Sequence, residues 1–64
     1  MTGSEFRSWR RSQGITQQEV ADSVNVSKSA ICRWEKGEFI FVPQVYEKIL
    51  KFYNLTEHEN VFSS

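Results

Sequence analysis

Apolar residues recur along the chain in short helical bursts separated by turn formers. Over residues 3–13, Phe6 and Trp9 lie three apart with Arg10 beside them, while Arg7 and Arg11 lie four apart on a more polar face. Val20, Ala21 and Val24 share one face of residues 17–24, and Ala30, Ile31 and Trp34 share one face of residues 28–36. Val45, Ile49, Leu50, Phe52 and Tyr53 supply the apolar positions of residues 43–53, and Val61 and Phe62 close a last segment over 57–62. No strand alternation and no repeat interrupts this pattern. It predicts an all-α fold of five short helices, at about 3–13, 17–24, 28–36, 43–53 and 57–62, in one domain over 1–64.

Start and stop signals bracket each burst. Thr2 with Glu5, Thr16 with Glu19 and Thr56 with Glu59 all have the capping-box spacing. Ser4 is an alternative first cap. Ile15 with Val20, and Val26 with Ile31, are spaced as hydrophobic staples around the caps Thr16 and Ser27. Gly14 and Gly37 stand where helix C-termini favour positive φ. Asn25 suits the left-handed conformation of a tight turn, and Pro43 suits a first helical position. Residues 14–37 therefore form two capped helices joined by a turn of about four residues, a helix-turn-helix.

Composition narrows the class. A 64-residue chain has room for one small domain, and such a chain buries only about 60% of its unfolded surface. The 14% aromatic content helps a core that thin. One cysteine and one histidine allow no disulfide framework and no metal cluster, which points to a reducing compartment and to no cofactor. No apolar run approaches the roughly 18 residues of a membrane span. His58 and Cys32 fall on separate predicted helices with no orienting group near them in sequence, so no enzymatic activity is expected.

Net charge is zero, which runs against the basic excess common in nucleic-acid binders. The charge is unevenly spread. Residues 1–36 carry six cations against four acids, a surplus of two, and residues 37–64 carry two against four, a deficit of two. On the third helix Lys28, Ser29, Cys32, Arg33 and Lys36 fall opposite the apolar face. This outward stripe holds three cations and no acid, where an ordinary solvated face, the plainer alternative, mixes both signs. Residues 38–42, Glu-Phe-Ile-Phe-Val, form an apolar run where a loop belongs. Phe39, Ile40, Phe41 and Val42 either fold back onto the core or form an exposed protein interface, and the interface is the expectation.

Taken together these residues resemble the phage repressor and Cro family of helix-turn-helix proteins, the XRE type. The resemblance rests on Phe6, Trp9 and Arg10; on Gly14, Thr16, Gln17, Val20 and Ala21; on Val26, Ser27, Ile31, Trp34, Glu35 and Gly37; and on Pro43, Ile49, Leu50 and Leu55. It covers nearly the whole chain and implies a compact lambda-repressor-like fold. It further implies sequence-specific binding of double-stranded DNA, with residues 28–36 in the major groove. Lys28, Ser29, Arg33 and Cys32 would face base edges, Cys32 toward a thymine methyl or the groove edge. Gln17 would meet a phosphate at a helix N-terminus, with Gln18, Thr16, Ser27, Lys36 and Arg11 as further phosphate contacts. Arg10 and Glu35 would form an internal ion pair. The partner implied is a near-palindromic operator bound by a homodimer, in the bacterial cytoplasm or encoded by a phage.

Two departures from the family pattern stand out: the neutral charge, and a loop with Glu38 and an apolar run where many relatives carry basic residues. They support an alternative on the same fold, a protein-interaction module of antirepressor or antitoxin-like kind that uses residues 39–42.

Overall fold

The computed structural model describes residues 1–55. Among them are four helices and no strand: α1 (Gly3–Ser12), α2 (Gln17–Val24), α3 (Lys28–Glu35) and α4 (Pro43–Phe52). The expected fifth helix at 57–62, with His58, Val61 and Phe62, lies outside the described residues.

Local chemistry sets each helix start. The Thr2 hydroxyl accepts from the Glu5 N–H at 3.1 Å, and the Glu5 carboxylate accepts from the Thr2 N–H at 2.8 Å. Thr16 and Glu19 repeat the same reciprocal box at 3.1 and 2.8 Å. Ser27 caps α3 by accepting from the Ala30 N–H, and α4 opens on Pro43 with no side-chain cap. These bonds satisfy N–H groups that a first turn otherwise leaves open.

The four helices also end alike. Ile15, Val26, Glu38 and Leu55 each donate their N–H to the carbonyl five residues back, on Arg10, Ala21, Arg33 and Leu50. That closure needs a left-handed residue just before the donor. Gly14 (φ 72°), Asn25 (59°), Gly37 (82°) and Asn54 (57°) provide it.

The core is small and joins aliphatic side chains to a few aromatic rings. Phe6, Val20, Ala21, Val24, Ile31, Trp34, Phe41, Ile49 and Leu50 are buried. Both staples close on it, with Ile15 and Val26 packed against the buried set. α3 packs on α1 and α2, and α2 on α4. Trp34 is its hub, with ring centroids 5.0 Å from Phe6, 5.3 Å from Phe41 and 6.3 Å from Tyr46. Tyr46, absent from the periodic apolar set, packs against the core, and its hydroxyl donates to the Met1 carbonyl at 3.0 Å.

Two expectations are corrected. Phe52, expected among the apolar positions of the fourth helix, is 57% exposed. It falls across the helix from Leu50, which turns inward instead. The interface run 39–42 splits by alternation: Phe41 is 8% exposed and joins the core against Trp34, so it offers no surface to a partner. Ile40 and Val42 are 86% and 58% exposed, and Phe39 lies between at 37%.

Gly3 is buried where α1 begins, against the C-terminal end of α3. A Cβ there would lie 1.9 Å from the Trp34 carbonyl oxygen and 2.6 Å from its carbon. Backbone, not a yielding side chain, blocks it. Gly3→Ala should therefore lower unfolding free energy by about 1–3 kcal/mol through overpacking, outweighing a helix-propensity gain of about 1 kcal/mol. The change in urea midpoint checks this; an unchanged or higher midpoint would show that α1 docks less tightly on α3.

Candidate nucleic-acid interface

The site begins with the geometry that fixes α2 against α3. Arg10 on α1 forks onto Glu35 at the end of α3, with Nε to Oε2 at 2.8 Å and Nη2 to Oε1 at 3.1 Å. Its Nη1 donates to the Ile15 carbonyl at 2.7 Å, which ties down the α1–α2 loop. Gln17, the first residue of α2, adds its amide: Nε2 donates to Glu35 Oε1 at 3.0 Å. The side chains of Arg10 and Glu35 are only 10% and 1% exposed. One carboxylate thus gathers α1, the loop, α2 and α3 in a dry place. Bidentate pairing suits such burial, because both carboxylate oxygens and the guanidinium fork find partners.

Around this network lies an open groove of about 490 Å³ lined by Arg10, Arg11, Gly14, Ile15, Thr16, Gln17, Gln18 and Lys28. The α2 N-terminus opens into it, so first-turn N–H groups and the positive dipole end face an incoming anion. Arg11 and Lys28 are exposed and add two cations. The Thr16 hydroxyl already accepts from Glu19, and the Ser27 hydroxyl from Ala30; each keeps its own proton to donate. Gln18 is exposed and its amide donates to Asp22 at 2.9 Å.

The outward face of α3 carries the other group. Lys28, Ser29 and Arg33 are exposed, as is Lys36 just past the last helical residue. Cys32 is half-buried with a free thiol, set lower than its neighbours. The Arg33 guanidinium lies over the Phe39 ring, 5.8 Å from its centroid. Arg11, the α2 N-terminus and this stripe together form an extended surface whose charge is complementary to a long anionic ligand.

The structure brings the expected phosphate and base residues onto adjoining surfaces, except that Gln17 is half-buried and engaged with Glu35. The capping pattern does not reveal this bond, because the partner lies 18 residues away. The proximity of Phe39 to Arg33 is equally hidden in the sequence, since it follows from the Gly37 turn. No group of three or more acidic, histidine or cysteine side chains arranged for a metal occurs among the described residues. None of the helices in that span is long and apolar enough to cross a membrane.

A family model described as helix-turn-helix matches residues 6–60, most of the chain. Neither the curated proteins nor the solved structures give a match.

Removing one partner of a buried ion pair strands the other without water. Glu35→Ala should cost about 3–5 kcal/mol, a large share of what so small a domain has. Replacing Arg10 and Glu35 together with apolar residues should cost much less than the two single losses combined. Denaturant unfolding of both single variants and the double measures this. Additive single losses would mean that the two residues do not act as a pair.

Proposed function

The chain belongs to the XRE-type helix-turn-helix family and is a DNA-binding domain, and from that premise we propose that it is a sequence-specific transcriptional regulator of the repressor or Cro kind. It acts in the bacterial cytoplasm or is phage-encoded. The observation that carries this is the acid-free exposed stripe of α3, held beside the α2 N-terminus by the Arg10–Glu35–Gln17 network. In this reading α3 lies in the major groove. Arg33 and Lys28 address guanine O6 and N7, Ser29 a neighbouring edge, and Cys32 the groove wall or a thymine methyl. The α2 N-terminus receives a phosphate through Thr16, Gln18 and the backbone N–H of Gln17, whose amide stays on Glu35, and Arg11, Ser27 and Lys36 hold the strand on either side. Two copies bind a near-palindromic operator with half-sites about one helical turn apart.

One observation favours a second reading. Ile40 and Val42 stand exposed, as an antirepressor or antitoxin-like protein contact would require. The two readings separate by their response to salt. Phosphate binding weakens steeply as salt rises, and an apolar contact does not.

Selection of bound duplexes from a random pool should return a palindromic consensus. Against that sequence Arg33→Ala should cost about 1–3 kcal/mol and relax one base pair, whereas Lys36→Ala should weaken binding to all sequences and lower the salt slope by about one. No enrichment, together with salt-independent capture of a protein, would move the conclusion to the second reading.

A further inference from the structure

Phe39 belongs to the loop that departs from the family pattern, and its side chain reaches back to Arg33 on α3. Its ring lies under the Arg33 guanidinium at 5.8 Å. The ring is itself held. It stands edge-on to Phe41, with centroids 5.1 Å apart and planes at 89°. Phe41 is buried and stands edge-on to Trp34 at 5.3 Å and 62°. An unbroken line of aromatic contacts therefore runs from the core hub to an exposed cation. The backbone delivers it: Gly37 turns at φ 82°, and the Glu38 N–H donates to the Arg33 carbonyl at 2.8 Å, folding residue 39 back beside residue 33.

We propose that Phe39 is a positioning residue for Arg33 and hence a determinant of base specificity. This rests on the reading of Arg33 as a base contact. A guanidinium against a ring face keeps its N–H donors free at its edge, so the ring restrains the side chain without consuming the fork that grips guanine. A free arginine gives up rotamer freedom when it binds, and one already narrowed by a ring gives up less. The contact also accounts for an aromatic residue at 39, next to Ile40 and Val42, which point outward without touching Arg33 in this way.

The test uses the full chain and the operator found by selection, with the single variants Phe39→Leu, Phe39→Tyr and Arg33→Ala and the double variant that joins Phe39→Leu to Arg33→Ala. Phe39→Leu keeps apolar bulk and removes the ring. It should weaken operator binding by about three- to tenfold, within the span of cation–π contacts, and should reduce discrimination at the base pair that Arg33→Ala relaxes. Phe39→Tyr should restore both, and Phe39→Leu should add nothing once Arg33 is replaced by alanine. In the DNA-free protein the Arg33 Nε–H resonance should carry a ring-current shift that Phe39→Leu removes, a readout independent of binding. Phe39→Leu binding as tightly and selectively as wild type, or more tightly, or weakening the Arg33→Ala variant equally, would overturn the brace while leaving the base contact standing. So would an unshifted Arg33 Nε–H in the wild-type protein. An Arg33→Ala chain that binds unchanged would overturn the base contact itself and the brace with it.

Discussion

A single buried carboxylate governs the arrangement of this domain. Glu35 takes two bonds from Arg10 and one from Gln17, while Arg10 extends its third nitrogen, Nη1, to the Ile15 carbonyl. Ion pairs this dry are weak sources of net stability, since desolvation offsets most of the attraction. Their value lies in direction. An apolar contact tolerates sliding, whereas a forked guanidinium against a carboxylate accepts a narrow geometry. Here that geometry joins the end of α3 to the beginning of α2. The angle between the two helices and the position of the α2 N-terminus are therefore set by the same three side chains.

The thin core makes such directional contacts more important. The fully buried side chains are mostly aliphatic and few in number, and rings around Trp34 supply much of the remaining packing. Tilted and edge-on ring contacts give some orientation preference of their own. The approach of α1 to α3 at Gly3 adds a steric one, because the backbones meet where no side chain fits. The domain thus combines modest burial with several constraints that each admit one arrangement.

These two kinds of information differ in how far they can be read along the chain. The caps at Thr2, Thr16 and Ser27 and the left-handed turns at Gly14, Asn25 and Gly37 are legible because each is settled among residues within five positions. Asn54 belongs to the same class, although the helix predicted over 43–53 carries no predicted turn at its end. Periodicity finds the buried faces of α1 to α3, but it misplaces Phe52 and cannot divide the 39–42 run. In a loop, which side chain turns inward depends on what the rest of the fold leaves open. Phe41 finds a place beside Trp34 and Ile40 finds none. The Gln17–Glu35 bond, the Tyr46–Met1 bond and the close packing at Gly3 all join residues far apart in sequence, and no local pattern encodes them. Of the candidate site, the exposed α3 stripe can be read from helical angle, while the attachments behind it cannot.

The neutral net charge, adverse to nucleic-acid binding at first sight, loses its force once the charges are placed in space. At physiological ionic strength exposed charges feel one another over about 8 Å, while the domain measures 34 × 25 × 20 Å. An anion against α3 therefore responds to nearby groups and little to the sum. Glu47 lies on α4, and Glu38 follows the Gly37 turn with its N–H on the Arg33 carbonyl, so it is the acid that borders the C-terminal end of the stripe. Glu35, the acid nearest the stripe in sequence, is buried and paired with Arg10, so its charge is matched where it sits. Close to the surface formed by α3 and the start of α2 stand Arg11, Lys28, Arg33 and Lys36; Glu19 in the Thr16 cap and Asp22, which accepts from Gln18, put two acids on α2, so the cationic surplus lies on α3 rather than on α2. A chain can carry equal numbers of both signs and still present a cationic stripe along one helix, provided that the acid on that helix is buried and paired, as Glu35 is with Arg10.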